Sequence, residues 1–177
     1  MFAWEMISSA GISRGSLKYL ADTGRLDQVS RGVYTLPEVW EDEFVSIQER
    51  YKRGVFALDT ALFLHDLTDR TPHKFHMAFP YGYNTSSPKA AGILCSCKKE
   101  PYYSLGIALV DTPAGNTVRA YNAEKTLCEM LKTMSHTDIQ IITDAFKRYA
   151  GRKEKNIPLL SEYAHQLRVE KRLRPYL

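Results

Sequence analysis

Five side chains near the N-terminus are of the types that bind DNA. Arg14, Ser16, Lys18 and Tyr19 lie within one six-residue stretch, and they offer donors to phosphate oxygens and base edges. Arg31 follows in a predicted hairpin tip, from which it could contact a phosphate or the minor groove. Together these side chains predict a surface that binds double-stranded DNA.

A tight turn and short structural elements must position these side chains. Ala10-Gly11 is expected to end one helix, because glycine takes the left-handed position after a helix without a Cβ clash. Ser13 can then cap the next helix by accepting a hydrogen bond from its first turn. Residues 26–29 and 33–36 have the composition of two strands joined by a tight turn. The order helix, turn, helix and hairpin predicts a winged helix-turn-helix, whose second helix enters the DNA major groove.

Residues 2–9 are the expected first helix of this motif, with Phe2, Met6 and Ile7 as its apolar anchors. A winged helix packs three helices beneath its hairpin, and the sequence offers none ahead of Trp4. A segment of about 36 residues is also smaller than most chains that fold alone. We therefore expect a DNA-binding segment that lacks its first helix through truncation or a downstream start site. The alternative is a segment that packs against the rest of the protein or a second copy.

The predicted domain boundary is marked by Pro37 and by the largely acidic stretch 38–43 that follows it. We place a DNA-binding segment at residues 1–37 and a second domain at residues 38–177. Within the second domain, strands are predicted at residues 74–79, 104–110 and 117–121. Helices are then predicted to start at Asn122, at Ser135 or Thr137, at Asn156 and at Val169. A few strands followed by a run of helices predict a small mixed α+β domain.

Residues of the types that ligate zinc are present, but their spacing argues against a metal site. The candidates are His73, His76, Cys95 and Cys97. Side chains three residues apart on a strand point to opposite faces, so His73 and His76 would diverge. We expect no metal ion and no cofactor.

A catalytic set is equally hard to assemble. Asp111 followed by Glu124 and Lys125 is similar to the carboxylate and lysine set of nucleases, but the usual Glu-x-Lys spacing is absent. Helix capping and favourable charges at a helix end explain Asn122, Glu124 and Lys125 better. The sequence has no phosphate-binding loop, dinucleotide glycine motif or serine elbow. We expect no catalytic residues and no enzyme activity.

Positive charge is concentrated near the C-terminus. The chain of 177 residues carries a net charge of +4, and residues 147–177 contain nine basic and three acidic side chains. Within this region, Arg148, Arg152, Lys153 and Lys155 could form a docking surface for an acidic partner or for DNA. The alternative is a solvated helix face that binds nothing.

The composition also bears on the compartment. No apolar run approaches the roughly 20 residues that cross a bilayer, and the first residues lack the basic region and cleavage site of a signal peptide. Three cysteines form no even disulfide framework and suit a reducing environment. We expect a cytoplasmic protein with no membrane partner.

With these residues in view, the chain resembles the AbiEi antitoxins of bacterial abortive-infection toxin–antitoxin modules. The N-terminal part of the resemblance comprises Gly11-Ile12-Ser13-Arg14, Leu17, Leu20, Gly24, Leu26 and Val29-Ser30-Arg31-Gly32-Val33-Tyr34. The later part comprises Gly54-Val55, Thr60-Ala61-Leu62, His65-Asp66-Leu67-Thr68-Asp69, Pro72, Asn122-Ala123-Glu124-Lys125-Thr126-Leu127-Cys128-Glu129, Ala145-Phe146-Lys147-Arg148-Tyr149 and Tyr163-Ala164. The order and spacing of these stretches carry the resemblance, which covers nearly the whole chain.

The resemblance implies an antitoxin that is also a transcriptional autorepressor. Its N-terminal half would bind inverted repeats in its own promoter, which favours a homodimer on DNA because such dimers read paired half-sites. Its C-terminal half would counter a nucleotidyltransferase-like toxin. The alternative is a winged-helix transcriptional regulator with no toxin partner.

Overall fold

The computed structural model describes residues 2–3, 13–23, 26–30, 33–35, 42–132 and 138–177, which form helices and two β-sheets. They divide into two units. One contains the described residues of Met1–Lys52 together with Asp111–Val118, and the other contains Arg53–Val110 with the described residues of Arg119–Leu177. This content confirms the predicted α+β class. The predicted boundary after residue 37 lies outside the described residues and stays a prediction.

The first unit contains a three-stranded antiparallel sheet and two helices. Its elements are β1 (Phe2–Ala3), α1 (Arg14–Asp22), β2 (Asp27–Ser30), β3 (Val33–Thr35) and α2 (Glu43–Arg50). The strand order is β1-β3-β2. The two strands of the predicted hairpin are confirmed to within one residue, and Asp27 pairs with Thr35.

The predicted helix over residues 2–9 is wrong at its start. Phe2 and Ala3 form β1, in which they pair with Tyr34 and Val33. Without β1, the hairpin strand β3 would leave one side of its backbone unpaired, and pairing with Phe2 and Ala3 satisfies those groups. This tertiary pairing overrides the local helical pattern. Residues 4–10 lie outside the described part of the chain.

The second unit is built on a five-stranded mixed sheet with strand order β6-β5-β4-β8-β7. The strands are β4 (Val55–Phe56), β5 (His76–Pro80), β6 (Leu94–Lys98), β7 (Ile107–Asp111) and β8 (Thr117–Tyr121). The short strand β4 is antiparallel to β5 and parallel to β8, whereas β5 and β6 are parallel. The three predicted strands are present, but β4 and β6 were not predicted.

Helices of the second unit gather around one buried helix. They are α3 (Leu58–Leu64), α4 (Ser86–Ala90), α5 (Ala123–Lys132), α6 (Ile139–Ala150), α7 (Ile157–Leu167) and α8 (Glu170–Leu173), followed by a 3-10 turn at Arg174–Tyr176. Every residue of α5 from Ala123 to Leu131 is buried. This helix packs against α3, α6, α7 and α8 and supplies the centre of the apolar core.

Side-chain caps define where these helices begin. Asn122 Oδ1 accepts a hydrogen bond from the Lys125 amide at 3.0 Å, and Asn156 Oδ1 accepts one from Leu159 at 3.0 Å. Both predicted starts are therefore confirmed. The helix between them begins instead at Asp138, whose Oδ1 accepts from the Gln140 amide at 2.9 Å. Aspartate caps a helix as well as serine or threonine does, so cap preference alone could not decide between Ser135, Thr137 and Asp138.

Asp42 joins α2 to the turn at residues 112–116 within the first unit. Its Oδ1 caps α2 by accepting from the Phe44 amide at 3.0 Å. Its Oδ2 accepts from Thr112 Oγ1 at 2.5 Å and from Asn116 Nδ2 at 3.0 Å. The carboxylate is only 6% exposed. Asp42 belongs to the acidic stretch that the sequence predicts to be a connector. It is thus a buried structural residue.

We expect Asp42→Ala to lower the free energy of unfolding by about 2–4 kcal/mol. It removes a helix cap and leaves the hydroxyl of Thr112 without its acceptor, and both losses are costly in a buried site. Glu43→Ala removes an exposed neighbouring carboxylate and serves as the matched control. Urea unfolding of both variants measures the difference, and equal losses would contradict the structural role of Asp42.

Candidate functional site

The exposed side of α1 carries three of the five side chains predicted to contact DNA. Ser16, Lys18 and Tyr19 are all exposed, and 66% of the Tyr19 surface is open to solvent. Ser13 caps the helix as predicted, because its Oγ accepts from the Ser16 amide at 3.2 Å. Thr23 ends the helix by donating its hydroxyl to the Tyr19 carbonyl at 2.8 Å. The helix is therefore fixed at both ends while its polar side chains remain available.

The chemistry of this surface suits phosphate and base-edge contacts. Ser16 and Tyr19 are three residues apart and share one side of α1, with Lys18 adjacent. The first turn of α1 contains no acidic residue, so no carboxylate opposes the positive end of the helix dipole. An ammonium group and two hydroxyls beside such a helix end are suitable donors to DNA.

The two predicted arginines remain predictions. Arg14 is the first residue of α1, but the position of its side chain is not described. Arg31 falls between β2 and β3, outside the described residues. The contacts of both side chains with DNA are untested.

The four basic residues proposed to dock a partner have different surroundings. Arg148 Nη2 lies 3.1 Å from Asp69 Oδ2, and the Arg152 guanidinium donates to the backbone carbonyl of His65. Lys155 Nζ donates to the Ala150 carbonyl at 2.7 Å, whereas Lys153 is exposed. Arg152 therefore links the end of α6 to the end of α3. The other three are the better candidates for an open basic surface.

Among the described residues, no group of three or more histidine, cysteine or acidic side chains is placed to hold a metal ion. His76 Nδ1 lies 3.7 Å from Asp59 Oδ2, and burial lowers the pKa of this histidine. Burial raises the pKa of Cys95, and Cys97 is exposed on the edge strand β6. These side chains do not form a shared ligand set.

Lys125 corrects the interpretation of this residue as a favourable charge at a helix end. Its side chain is fully buried, with Nζ 3.3 Å from the ring centroid of Tyr121. Nζ donates to the Tyr102 carbonyl at 2.6 Å and lies 3.7 Å from Glu129 Oε1. Burial lowers the pKa of Lys125 to about 7 despite the nearby carboxylate. An i,i+4 lysine–glutamate pair normally predicts a solvated helix face, so the sequence contained no signal of this burial.

The buried acids of α5 have partners on other elements. Lys98 Nζ lies 2.7 Å from Glu129 Oε1 and connects β6 to α5. The Tyr149 hydroxyl donates to Glu124 Oε1 at 2.8 Å, and burial raises the pKa of this phenol. These contacts join β6 and α6 to the buried helix α5.

Gly106 provides the space that Lys125 occupies. Its φ is +67°, a left-handed conformation that glycine favours. A Cβ at this position would lie 3.1 Å from Lys125 Cβ and Cδ and 3.0 Å from Asn122 Oδ1. The Gly106 carbonyl accepts from the Asn122 amide at 2.7 Å. The chain thus passes directly over the start of α5.

Comparisons with known proteins bear on the N-terminal segment. A family model described as "Transcriptional regulator, AbiEi antitoxin" matches residues 5–37, which confirms the resemblance to AbiEi antitoxins over that segment. The crystal structure of the RV2827C protein from Mycobacterium tuberculosis is 13% identical, covers 98% of this chain and 72% of its own, and gives a TM-score of 0.47. No curated protein matches the chain. None of the described helices combines the length and apolar character needed to cross a membrane.

We expect the free energy of unfolding to rise between pH 7 and about pH 9 because of Lys125. In this range the unfolded chain holds a proton on Lys125 that the folded chain releases, so stability increases by up to about 1.4 kcal/mol per pH unit. Lys125→Met should flatten this dependence and lower the free energy of unfolding at pH 7, because it leaves the Tyr102 carbonyl without its donor and removes one cation from Glu129. Urea unfolding at several pH values measures both slopes.

Lys132→Met provides the control, since it removes an exposed lysine from the same helix. Its pH profile should follow that of the unmodified protein. A Lys125→Met profile that is also unchanged would show that the buried amine keeps an ordinary pKa.

Proposed function

We propose that this chain, whose residues 5–37 match the AbiEi antitoxin model, is a transcriptional regulator that binds DNA through a winged helix. The observation that carries the proposal is the position of Ser16, Lys18 and Tyr19. These side chains are exposed on a helix that directly precedes an antiparallel hairpin, inside the matched segment. In this arrangement α1 is the recognition helix, and the β2–β3 hairpin is the wing.

The three-stranded sheet supports this assignment. In winged helices, the strand that precedes the recognition helix pairs with the second strand of the wing. Here β1 pairs with β3 and leaves β2 on the opposite edge. A hairpin braced in this way would hold its tip at a fixed distance from α1, so that both can reach one face of a duplex.

The operator is proposed to be an inverted repeat in the protein's own promoter. Two copies of α1 would read half-sites about one helical turn apart, so we expect a homodimer on DNA. Repression would follow from occupation of the promoter. This part of the proposal rests on the resemblance to AbiEi antitoxins.

The second unit is proposed to counter a nucleotidyltransferase-like toxin. Its exposed basic side chains, Arg148, Lys153 and Lys155, provide a surface to which an acidic patch could dock. A regulator with no toxin partner is the alternative. The match over residues 5–37 alone favours that alternative, because it covers only the DNA-binding segment.

We expect the double variant Lys18→Ala with Tyr19→Ala to weaken binding to the promoter by about 1–3 kcal/mol, because it removes contacts to phosphate or base edges. Loss of one phosphate contact should also lower the slope of log K against log salt by about 0.9. Gel-shift titrations at several salt concentrations measure both effects. Leu109→Ala, which removes a similarly exposed side chain from the second unit, is the control. Unchanged promoter binding by the double variant would refute the assignment of α1.

Reversal of Arg148, Lys153 and Lys155 to glutamate tests the docking surface. Arg152 is left in place because its bond to the His65 carbonyl would confound the result. Loss of toxin rescue with repression preserved is the expected outcome, since electrostatic docking to the toxin would be abolished. Rescue and repression are measured separately with reporter and growth assays. Retention of both would show that this surface is only solvated.

A further inference from the structure

Two loops of the second unit meet at one edge of the five-stranded sheet. Strands β5 and β6 are parallel, so both carboxyl ends lie at this edge. Tyr81 directly follows β5, and Lys99 directly follows β6. The Tyr81 amide donates to the Lys98 carbonyl at 2.8 Å, which holds the two loops together.

Aromatic rings at this edge stand beside cations. Tyr81 is 70% exposed, and the Lys99 ammonium lies 4.8 Å from its ring centroid. Tyr83 stacks on Phe79, with ring centroids 4.6 Å apart, and the Arg53 guanidinium lies 5.9 Å from the Tyr83 ring centroid. The Tyr83 ring is therefore fixed by packing against Phe79, whereas the Tyr81 ring remains open to a ligand.

The turn after β6 adds a third ring to this edge. Tyr102 is 41% exposed, and its carbonyl is held by the buried Lys125 amine. Tyr103 shapes the turn, because its amide donates to the Lys99 carbonyl at 3.1 Å. The Tyr103 hydroxyl donates to the Arg53 carbonyl at 2.5 Å. These bonds tie the backbone of Arg53 to the turn that contains Lys99 and Tyr102.

The charges at this edge are available to an anion. Neither Arg53 nor Lys99 forms an ion pair with any carboxylate that the structure describes. The nearby acid Glu100 is engaged with the Ser104 hydroxyl at 2.7 Å. We name Arg53, Tyr81, Lys99 and Tyr102 the tyrosine edge. It combines exposed tyrosine rings with cations that form no ion pair with a described carboxylate.

This combination favours one class of partner. Base stacking on aromatic rings, with cations on the phosphates, is how single-stranded nucleic acids are bound without sequence preference. Paired bases in a duplex keep their faces covered and cannot stack in this way. Tyrosine and arginine are also enriched at protein–protein interfaces, so a protein partner is the alternative that the oligonucleotide test below addresses.

We propose that the tyrosine edge binds single-stranded nucleic acid. Unpaired bases stack on Tyr81 and Tyr102, while Lys99 and Arg53 bind the phosphates between them. This activity is separate from the proposed binding of duplex DNA by α1, since the residues belong to the other unit of the chain.

Fluorescence anisotropy with labelled oligouridine and oligothymidine of about 12 nucleotides tests the proposal, a length suited to one single-strand site. The full chain should bind both probes more tightly than a blunt duplex of equal length and unrelated sequence. Tyr81→Ala with Tyr102→Ala should raise Kd about tenfold or more, because it removes two stacking faces. Lys99→Ala should lower the salt slope by about 0.7 for one lost phosphate contact.

Two further variants make the result decisive. Tyr81→Phe with Tyr102→Phe keeps the rings and should bind like the unmodified protein, even if the alanine pair alters stability. Leu109→Ala removes an exposed side chain elsewhere in the second unit and should leave single-strand binding unchanged. If promoter binding fails while single-strand binding persists, the proposed function fails and the tyrosine edge stands. Unchanged Kd in the alanine pair, or loss of binding in the phenylalanine pair, would overturn the proposal.

Discussion

The second unit depends on neutralising the charges of a helix that is buried along its length. Glu124, Lys125 and Glu129 enter the interior with α5, where an unpaired charge costs several kcal/mol. Each therefore requires a partner from another element. Lys98 reaches Glu129 from β6, and the Tyr102 carbonyl and the Tyr121 ring receive the Lys125 amine. The sheet and the helices are held in register by these polar contacts as well as by apolar packing.

This requirement extends to the surface of the unit. The loop that carries Tyr102 is held from below by Lys125, and Gly106 lets the following chain pass close over the helix. A buried amine thus fixes the backbone on which an exposed ring is displayed. The position of the tyrosine edge therefore depends on the hydrogen bond that the buried Lys125 amine donates to the Tyr102 carbonyl.

Local features of the fold could be predicted from the sequence, and nonlocal ones could not. Ser13, Asn122 and Asn156 cap helices as expected, because a cap depends only on the next three residues. The pairing of Phe2 with Tyr34 depends on a distant strand and contradicted a local helical pattern. Strand β6 has no clear alternation of apolar residues, and its pairing with β5 defines it.

The candidate site likewise has features that could be predicted from the sequence and features that could not. Exposure of Ser16, Lys18 and Tyr19 agrees with their assignment to the outer side of a helix, because helical spacing fixes the face that each occupies. The burial of Lys125 could not be predicted, since its spacing to Glu129 is that of an ordinary surface pair. Only the surrounding elements show that this lysine is enclosed.

The Tyr149 hydroxyl couples the local unfolding of neighbouring helices. Tyr149 donates to the buried Glu124 and accepts from the backbone amide of Asn156 at 2.7 Å, so it joins α5, α6 and the first turn of α7. If α7 frays at its start, the phenol loses the bond that orients it towards the carboxylate. Solvent entry at α5 and opening of α7 are then coupled, so that these helices open as one cooperative unit rather than separately.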